Sequence, residues 1–170
     1  MRRSNMLAAS LVAFAAVVCS FTVFAGEKRE VTNSPRAKAL ISESKVIPGD
    51  VPGHELIQVV RLDELQSSDP NIDGGLATVH VHIDITAGNG RYYGYAVTRT
   101  PSGDLVFDNF EGRIMTVTKA GVAETTFEGT NRLFGGTGKF ANLKGTGKYQ
   151  GKIGPDGKAL PYQHHWTIEY

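Results

Sequence analysis

The sequence predicts an all-β domain, most simply a single eight-stranded antiparallel barrel of the up-and-down kind. Three observations carry this. Beyond Gly53 the chain reads as short runs of alternating apolar and polar residues separated by Gly, Asp, Asn and Pro. The separators include strong turn signals: Asp73-Gly74-Gly75, Gly88-Asn89-Gly90, Pro101-Ser102-Gly103-Asp104, Ala120-Gly121 and Pro155-Asp156-Gly157. No stretch of ten or more residues beyond Gly53 carries a helical period. A two-sheet sandwich fits the same pattern, but a closed barrel leaves no free edges.

The first element is an expected export signal over residues 1–25. Met1-Arg2-Arg3 supplies the positive start, residues 7–18 are almost wholly apolar, and Val23-Phe24-Ala25 places small residues where signal peptidase needs them, for cleavage before Gly26. An uncleaved anchor is the rival, since residues 6–25 are about long enough to span a bilayer, although Ser10, Ser20 and Thr22 dilute them. Lipidation at Cys19 lacks the small residue wanted before it, and Arg2-Arg3 lacks the context of a twin-arginine signal. The expected location is periplasmic or extracellular.

Cleavage leaves 145 of the 170 residues, enough for one ordinary core. The mature part keeps all 17 acidic residues and loses two of the 18 basic ones, for a formal charge of −1. That balance argues against a nucleic-acid partner, which wants a basic face, and against an anionic membrane surface once the signal is gone. The only cysteine leaves with the signal, so the domain is expected to be held without disulfides.

Residues 26–53 are polar and punctuated by Pro35, Pro48, Gly49, Pro52 and Gly53, and read as a flexible arm or linker, with one or two helical turns available to residues 36–45. The barrel domain is then expected over 54–170. Its candidate strands are 55–62, 76–86, 91–100, 105–111, 113–119, 123–127, 145–153 and 162–170. In 76–86 the period of two puts Val79, Val81, Ile83 and Ile85 on one face and Thr78, His80, His82, Asp84 and Thr86 on the other. The apolar set should point inward. In the last strand Tyr162, His164, Trp166, Ile168 and Tyr170 share a face, large enough to line a cavity as well as fill a core.

The most distinctive stretch runs from Phe127-Glu128-Gly129-Thr130 through Gly135-Gly136-Thr137-Gly138-Lys139-Phe140-Ala141-Asn142-Leu143-Lys144-Gly145-Thr146-Gly147-Lys148-Tyr149. Gly135, Gly136 and Gly138 allow a tight backbone path, Phe140 and Leu143 are placed to plug the barrel end, and Gly145 starts the next strand. This segment resembles one near the C-terminal side of the allene oxide cyclase and dirigent-like β-barrels, bacterial secreted members included. The resemblance implies a calycin-like eight-stranded barrel with a hydrophobic cavity, often assembled as a homotrimer, in a family whose characterised members guide cyclisation or coupling of reactive intermediates. It transfers no acid, base or water ligand onto this chain.

Other chemistries compete. A phosphate-binding reading of Gly135 to Lys139 fails because a strand, not a helix, follows. His80 and His82, two apart on a strand, point the same way and suit a shared metal with Asp84 or His164 as a third ligand; the plain alternative is a wet outer face or an oligomer interface. Glu111, Glu124 and Glu128, with Tyr92, Tyr93, Tyr95, Arg99 and Arg113, offer acids, phenols and cations, against the ordinary reading of solvated faces and cross-strand ion pairs. No pattern asks for a cofactor. The leading expectation is an exported barrel that binds a small apolar or aromatic molecule in a cavity lined in part by Tyr162, His164, Trp166 and Phe107. A cyclase or isomerase is second and needs an ionisable residue or ordered water inside the barrel; a metal-binding module using His80 and His82 is third.

Overall fold

Alternation of side chains about an extended backbone dictates a sheet, and the sheet closes on itself. In the computed structural model, which describes residues 27–170, the strands are β1 (Arg29–Val46), β2 (His54–Ser67), β3 (Leu76–Thr86), β4 (Asn89–Arg99), β5 (Leu105–Lys119), β6 (Val122–Gly136), β7 (Lys144–Ile153) and β8 (Gln163–Glu169). Each pairs antiparallel with the next, and β8 returns to β1, giving one closed up-and-down barrel. A 3-10 turn, Gly138–Phe140, is the one helical feature among the described residues. The expected eight-stranded antiparallel barrel is thus the architecture adopted. The expected signal over 1–25 lies outside the described residues.

Several boundaries differ from expectation. Residues 26–53 are not simply an arm, because Arg29–Val46 is a barrel strand paired to β2 and, over Arg29–Asn33, to β8. The alternation there is hidden because only Val31 and Asn33 are buried, and every side chain from Arg36 onward is exposed. Register shifts between Ala37 and Ala39 and between Leu40 and Ser42 break the period further. Residues 105–111 and 113–119 are one strand, β5, since Gly112 continues the ladder opposite Tyr92. Strand 123–127 extends through the glycine motif to Gly136.

Inward positions alternate large and small between neighbours. Tyr149 lies over Gly129, where an added Cβ would sit 2.5 Å from the Tyr149 hydroxyl, and Trp166 lies over Gly147, where it would sit 2.2 Å from Trp166 Cδ1. Only a residue without a side chain leaves the rings room to cross the barrel. Two hairpins, Ala87-Gly88 and Ala120-Gly121, have positive φ at both central residues (51° and 76°, 49° and 81°). That is the type I′ geometry whose twist matches the flanking strands, here with alanine in a conformation glycine prefers.

One end of the barrel is plugged by Ile72 from the β2–β3 connection and by Phe140 and Leu143 around the 3-10 turn, each no more than 1% exposed. Burying each contributes on the order of 1.5–3 kcal/mol. Tyr170 closes over this end, donating to Asp69 Oδ2 at 2.7 Å and packing on Phe140. The core divides into two apolar clusters. One, around Ile72, Val106, Leu133, Phe140 and Trp166, fills the plugged half; the other, around Tyr92, Ile114, Phe127 and Tyr149, fills the half under the opposite turns. Polar side chains lie between them.

Candidate functional site on the inner wall

β8 sets the site. His164, Trp166 and Ile168 alternate inward while Gln163 and His165 are exposed, and Tyr162, just before the strand, packs among the inward rings. Pairing then fixes the neighbours. His164 stands opposite Asn33 of β1 and Tyr149 of β7; Trp166 stands opposite Val31 and Gly147; Asn131 of β6 stands opposite Gly147 on its other side. Directly paired residues share a face, so Asn33, Asn131, Tyr149, His164 and Trp166 form one continuous patch of inner wall.

Aromatic packing orders this patch. His164 stacks on Tyr149 with centroids 4.6 Å apart and planes 16° from parallel. Tyr162 lies 5.2 Å from His164 on another side, and Trp166 meets it edge-on at 6.1 Å. The polar atoms of the patch are less well served. Both amide atoms of Asn33, Asn131 Oδ1, both nitrogens of His164 and Trp166 Nε1 are buried without a hydrogen-bond partner in the protein, while the buried Tyr149 hydroxyl has only the Tyr92 phenol beside it.

Ionisable groups flank the patch. Arg61 Nε donates to Asp63 Oδ2 at 2.9 Å, and Arg61 Nη2 reaches the Tyr162 hydroxyl at 3.4 Å, linking β2 to the segment before β8. Burial works against the Arg61 charge, but Tyr162 and Asp63 outweigh it and hold the guanidinium protonated. Burial raises the Asp63 carboxyl despite its partner. Asp108 is enclosed, its Oδ2 accepting from Asn131 Nδ2 at 2.8 Å; burial pushes its pKa up to about 7, the amide only partly opposing it. Burial pulls His164 down to about 3, helped by Arg61 and His165, so the imidazole is neutral. Burial likewise raises Tyr92, Tyr149 and Tyr162, and Tyr149 is near enough to Tyr92 for the two phenols to couple. At neutral pH the wall therefore combines a neutral imidazole, three phenols, an indole and two amides with a single ion pair and one carboxyl poised near its midpoint.

Among the residues expected to line a cavity, Tyr162, His164 and Trp166 come together here. Phe107 does not, and that expectation is corrected. On β5 the buried positions are Val106, Asp108 and Ile114, which turns Phe107 outward to pack with Phe134, itself beside Tyr95 on the outer face. The glycine motif serves the plugged end: Gly138 has φ 54°, and a Cβ on Gly136 would meet Leu105 O at 2.0 Å. Gly135 lies at the end of β6 and Gly145 at the start of β7, on either side of the 3-10 turn in the chain.

His80 is exposed on the outer face, and His82 stacks on Tyr93 there at 5.0 Å. Neither expected third metal ligand joins them. His164 is on the inner wall, and Asp84 Oδ1 instead takes His54 Nε2 at 3.1 Å, whose Nδ1 meets Asp50 Oδ1 at 2.7 Å. Among the described residues no three His, Cys, Asp or Glu side chains group as metal ligands do.

The polar members of the wall that sequence reasoning missed are Asn33, Arg61, Asp63, Asp108, Asn131 and Tyr149. A signal existed for two of them: the parity of Ile57 and Val59, carried along β2, puts Arg61 and Asp63 inside. Compared with protein-family models and with curated proteins, the sequence matches none.

Proposed function

We propose that this chain is an exported barrel protein that binds a small, largely apolar or aromatic molecule against the inner wall of its barrel. One observation carries the reading: four neighbouring inward residues, Asn33, Asn131, His164 and Trp166, hold six buried polar atoms with no protein partner. Left unmatched, each costs on the order of 1–3 kcal/mol. Folded proteins rarely collect such atoms in one patch unless something completes them, and aromatic faces with a few convergent polar groups are the makeup of a small-molecule site. The leader pattern over 1–25 supports work outside the cytoplasm, and the resemblance of the glycine motif to allene oxide cyclase and dirigent-like barrels supports an apolar ligand.

A second reading, a cyclase or isomerase acting on a reactive apolar intermediate, is favoured by Asp108, the interior acid that such a reaction requires. Its carboxyl, raised to about 7, is matched to proton transfer near neutrality.

Trp166, the only tryptophan, makes the test direct. Native mass spectrometry of the purified protein, followed by Trp166 fluorescence titration with small aromatics and fatty acids, should reveal a retained or added ligand that shifts the emission. Indifference of Trp166 across the whole panel, with no retained mass, would sink the binding reading.

A further inference from the structure

We propose that the outer face of β6, β7 and β8 is a second binding surface, suited to a linear acidic polysaccharide whose sugar rings carry carboxylates. It is independent of the barrel interior, because the side chains concerned point the other way.

Outward positions on these strands line up in rows across the sheet. Glu128, Gln150 and Gln163 form one row, Thr130, Lys148 and His165 the next, and Arg132, Thr146 and Thr167 a third. Two grooves follow these rows along β7. One, of about 520 Å³, lies over the first two rows. The other, of about 450 Å³, covers the third row, reaches Lys144 and Glu169, and takes in Lys28 and Phe134.

Charge sets the sign of the occupant. The grooves hold four cations, Lys28, Arg132, Lys144 and Lys148, against two carboxylates, Glu128 and Glu169, on a chain whose residues 26–170 carry −1 in all. Positive charge is gathered here and outweighed elsewhere. Lys38, Lys45 and Lys152 each reach a glutamate, whereas the side chains of the four groove cations make no hydrogen bond or ion pair among the described residues. Lys148, Arg132 and Lys144 fall in successive rows, so a cation recurs about every 7 Å along the strands. A polyuronate, with a carboxylate on every sugar, repeats its charge on that scale, and the planar guanidinium of Arg132 suits a carboxylate.

Three features favour a sugar chain over other polyanions. Phe134, 42% exposed, lines the second groove and packs with Tyr95, 38% exposed, at 5.8 Å; the electron-rich faces of such rings attract the polarised C–H groups of a sugar. The amides of Gln150 and Gln163 and the hydroxyls of Thr130 and Thr146, unengaged among the described residues, can meet sugar hydroxyls as donors or acceptors. Both edges of β6 and β7 are already paired, so an acidic peptide cannot add here as a further strand.

The test uses the purified protein in calorimetry with a linear oligogalacturonate, its methyl ester, polyglutamate and a single-stranded oligonucleotide. We expect the oligogalacturonate to bind about tenfold or more tighter than each of the others, and to weaken as salt rises. Combining Arg132→Ala, Lys144→Ala and Lys148→Ala, all at exposed positions, should lower that affinity about tenfold or more and leave melting temperature and Trp166 emission unchanged. Phe134→Ala should weaken the oligogalacturonate several-fold and spare any residual polyglutamate binding. Equal binding of the methyl ester overturns the proposal, since charge would then play no part. Polyglutamate or the oligonucleotide binding as tightly as the sugar also overturns it, leaving a surface that attracts any polyanion. So does an unaffected triple variant, or no binding of the oligogalacturonate. None of these outcomes bears on the interior reading, which Trp166 emission reports.

Discussion

Replacing Asp108 with asparagine should remove a large part of the protein's pH dependence of stability. The side chain is 4% exposed, and its carboxyl is raised to about 7 by burial, against roughly 4 in an unfolded chain. The folded protein therefore keeps a proton on Asp108 between those two values while the unfolded chain has released it. Stability from this group is complete in acid, falls as pH rises through the window, and levels off above the folded value. Three pKa units at about 1.4 kcal/mol each give a loss of about 4 kcal/mol, with roughly 2.5 kcal/mol of it between about pH 5 and about pH 8. In Asp108→Asn the new side-chain oxygen still accepts from Asn131 Nδ2, so the variant should match or slightly trail the parent in acid and surpass it in base. The assay is urea unfolding of both proteins across that range, read as a difference. Subtraction matters because His54, raised by its hydrogen bond to Asp50 and then, against some desolvation, by Asp84, also loses stabilisation as pH rises. His164, lowered by burial, works in the opposite sense, its penalty easing as pH rises toward the unfolded value. A difference curve flat to within about 0.5 kcal/mol would show that Asp108 is not enclosed as described.

Gly147→Ala sets a Cβ 2.2 Å from Trp166 Cδ1, and should cost about 1–3 kcal/mol in overpacking while shifting Trp166 emission; an unchanged spectrum and melting curve would contradict the packing. Ala120→Gly relieves a residue held at φ 49° and should stabilise the protein by about 0.5–1 kcal/mol, visible as a rise in melting temperature, where a fall would show that the hairpin is not type I′. His80→Ala with His82→Ala, on the outer face, should change stability by less than about 1 kcal/mol; stoichiometric zinc or copper in the parent that disappears in this double variant would revive a metal role.

What could be read in advance tracks how one-sided each strand is. β3 buries one face and wets the other, so Val79, Val81, Ile83 and Ile85 announce their direction, and β8 does the same through Trp166 and Ile168. β1 escapes because past Asn33 nothing covers it and two register shifts erase its period. Phe107 misleads because an inward position beside it is taken by Asp108, which reverses the usual equation of apolar with inside. The wall's polar members are concealed for the same reason: alternation reports burial only where burial is apolar, and this barrel places amides, acids and phenols at inward positions. Tyr149 lies in a glycine-rich strand whose small and charged neighbours give no apolar alternation to mark which way its ring faces.

The closure of β1 on β8 bears on the order of events in folding. Every other strand pair joins elements adjacent in the chain and is reached by a short loop search, whereas Asn33 must find His164 across nearly the whole domain. Loop-closure entropy makes such a junction late to form. Spanning only Arg29–Asn33, it also has little ladder to hold it, so sub-global opening should begin there, with amide exchange in β1 outrunning that in β3 to β6. Asn33, His164 and Trp166 border that junction. Unzipping it would uncover that stretch of inner wall to solvent.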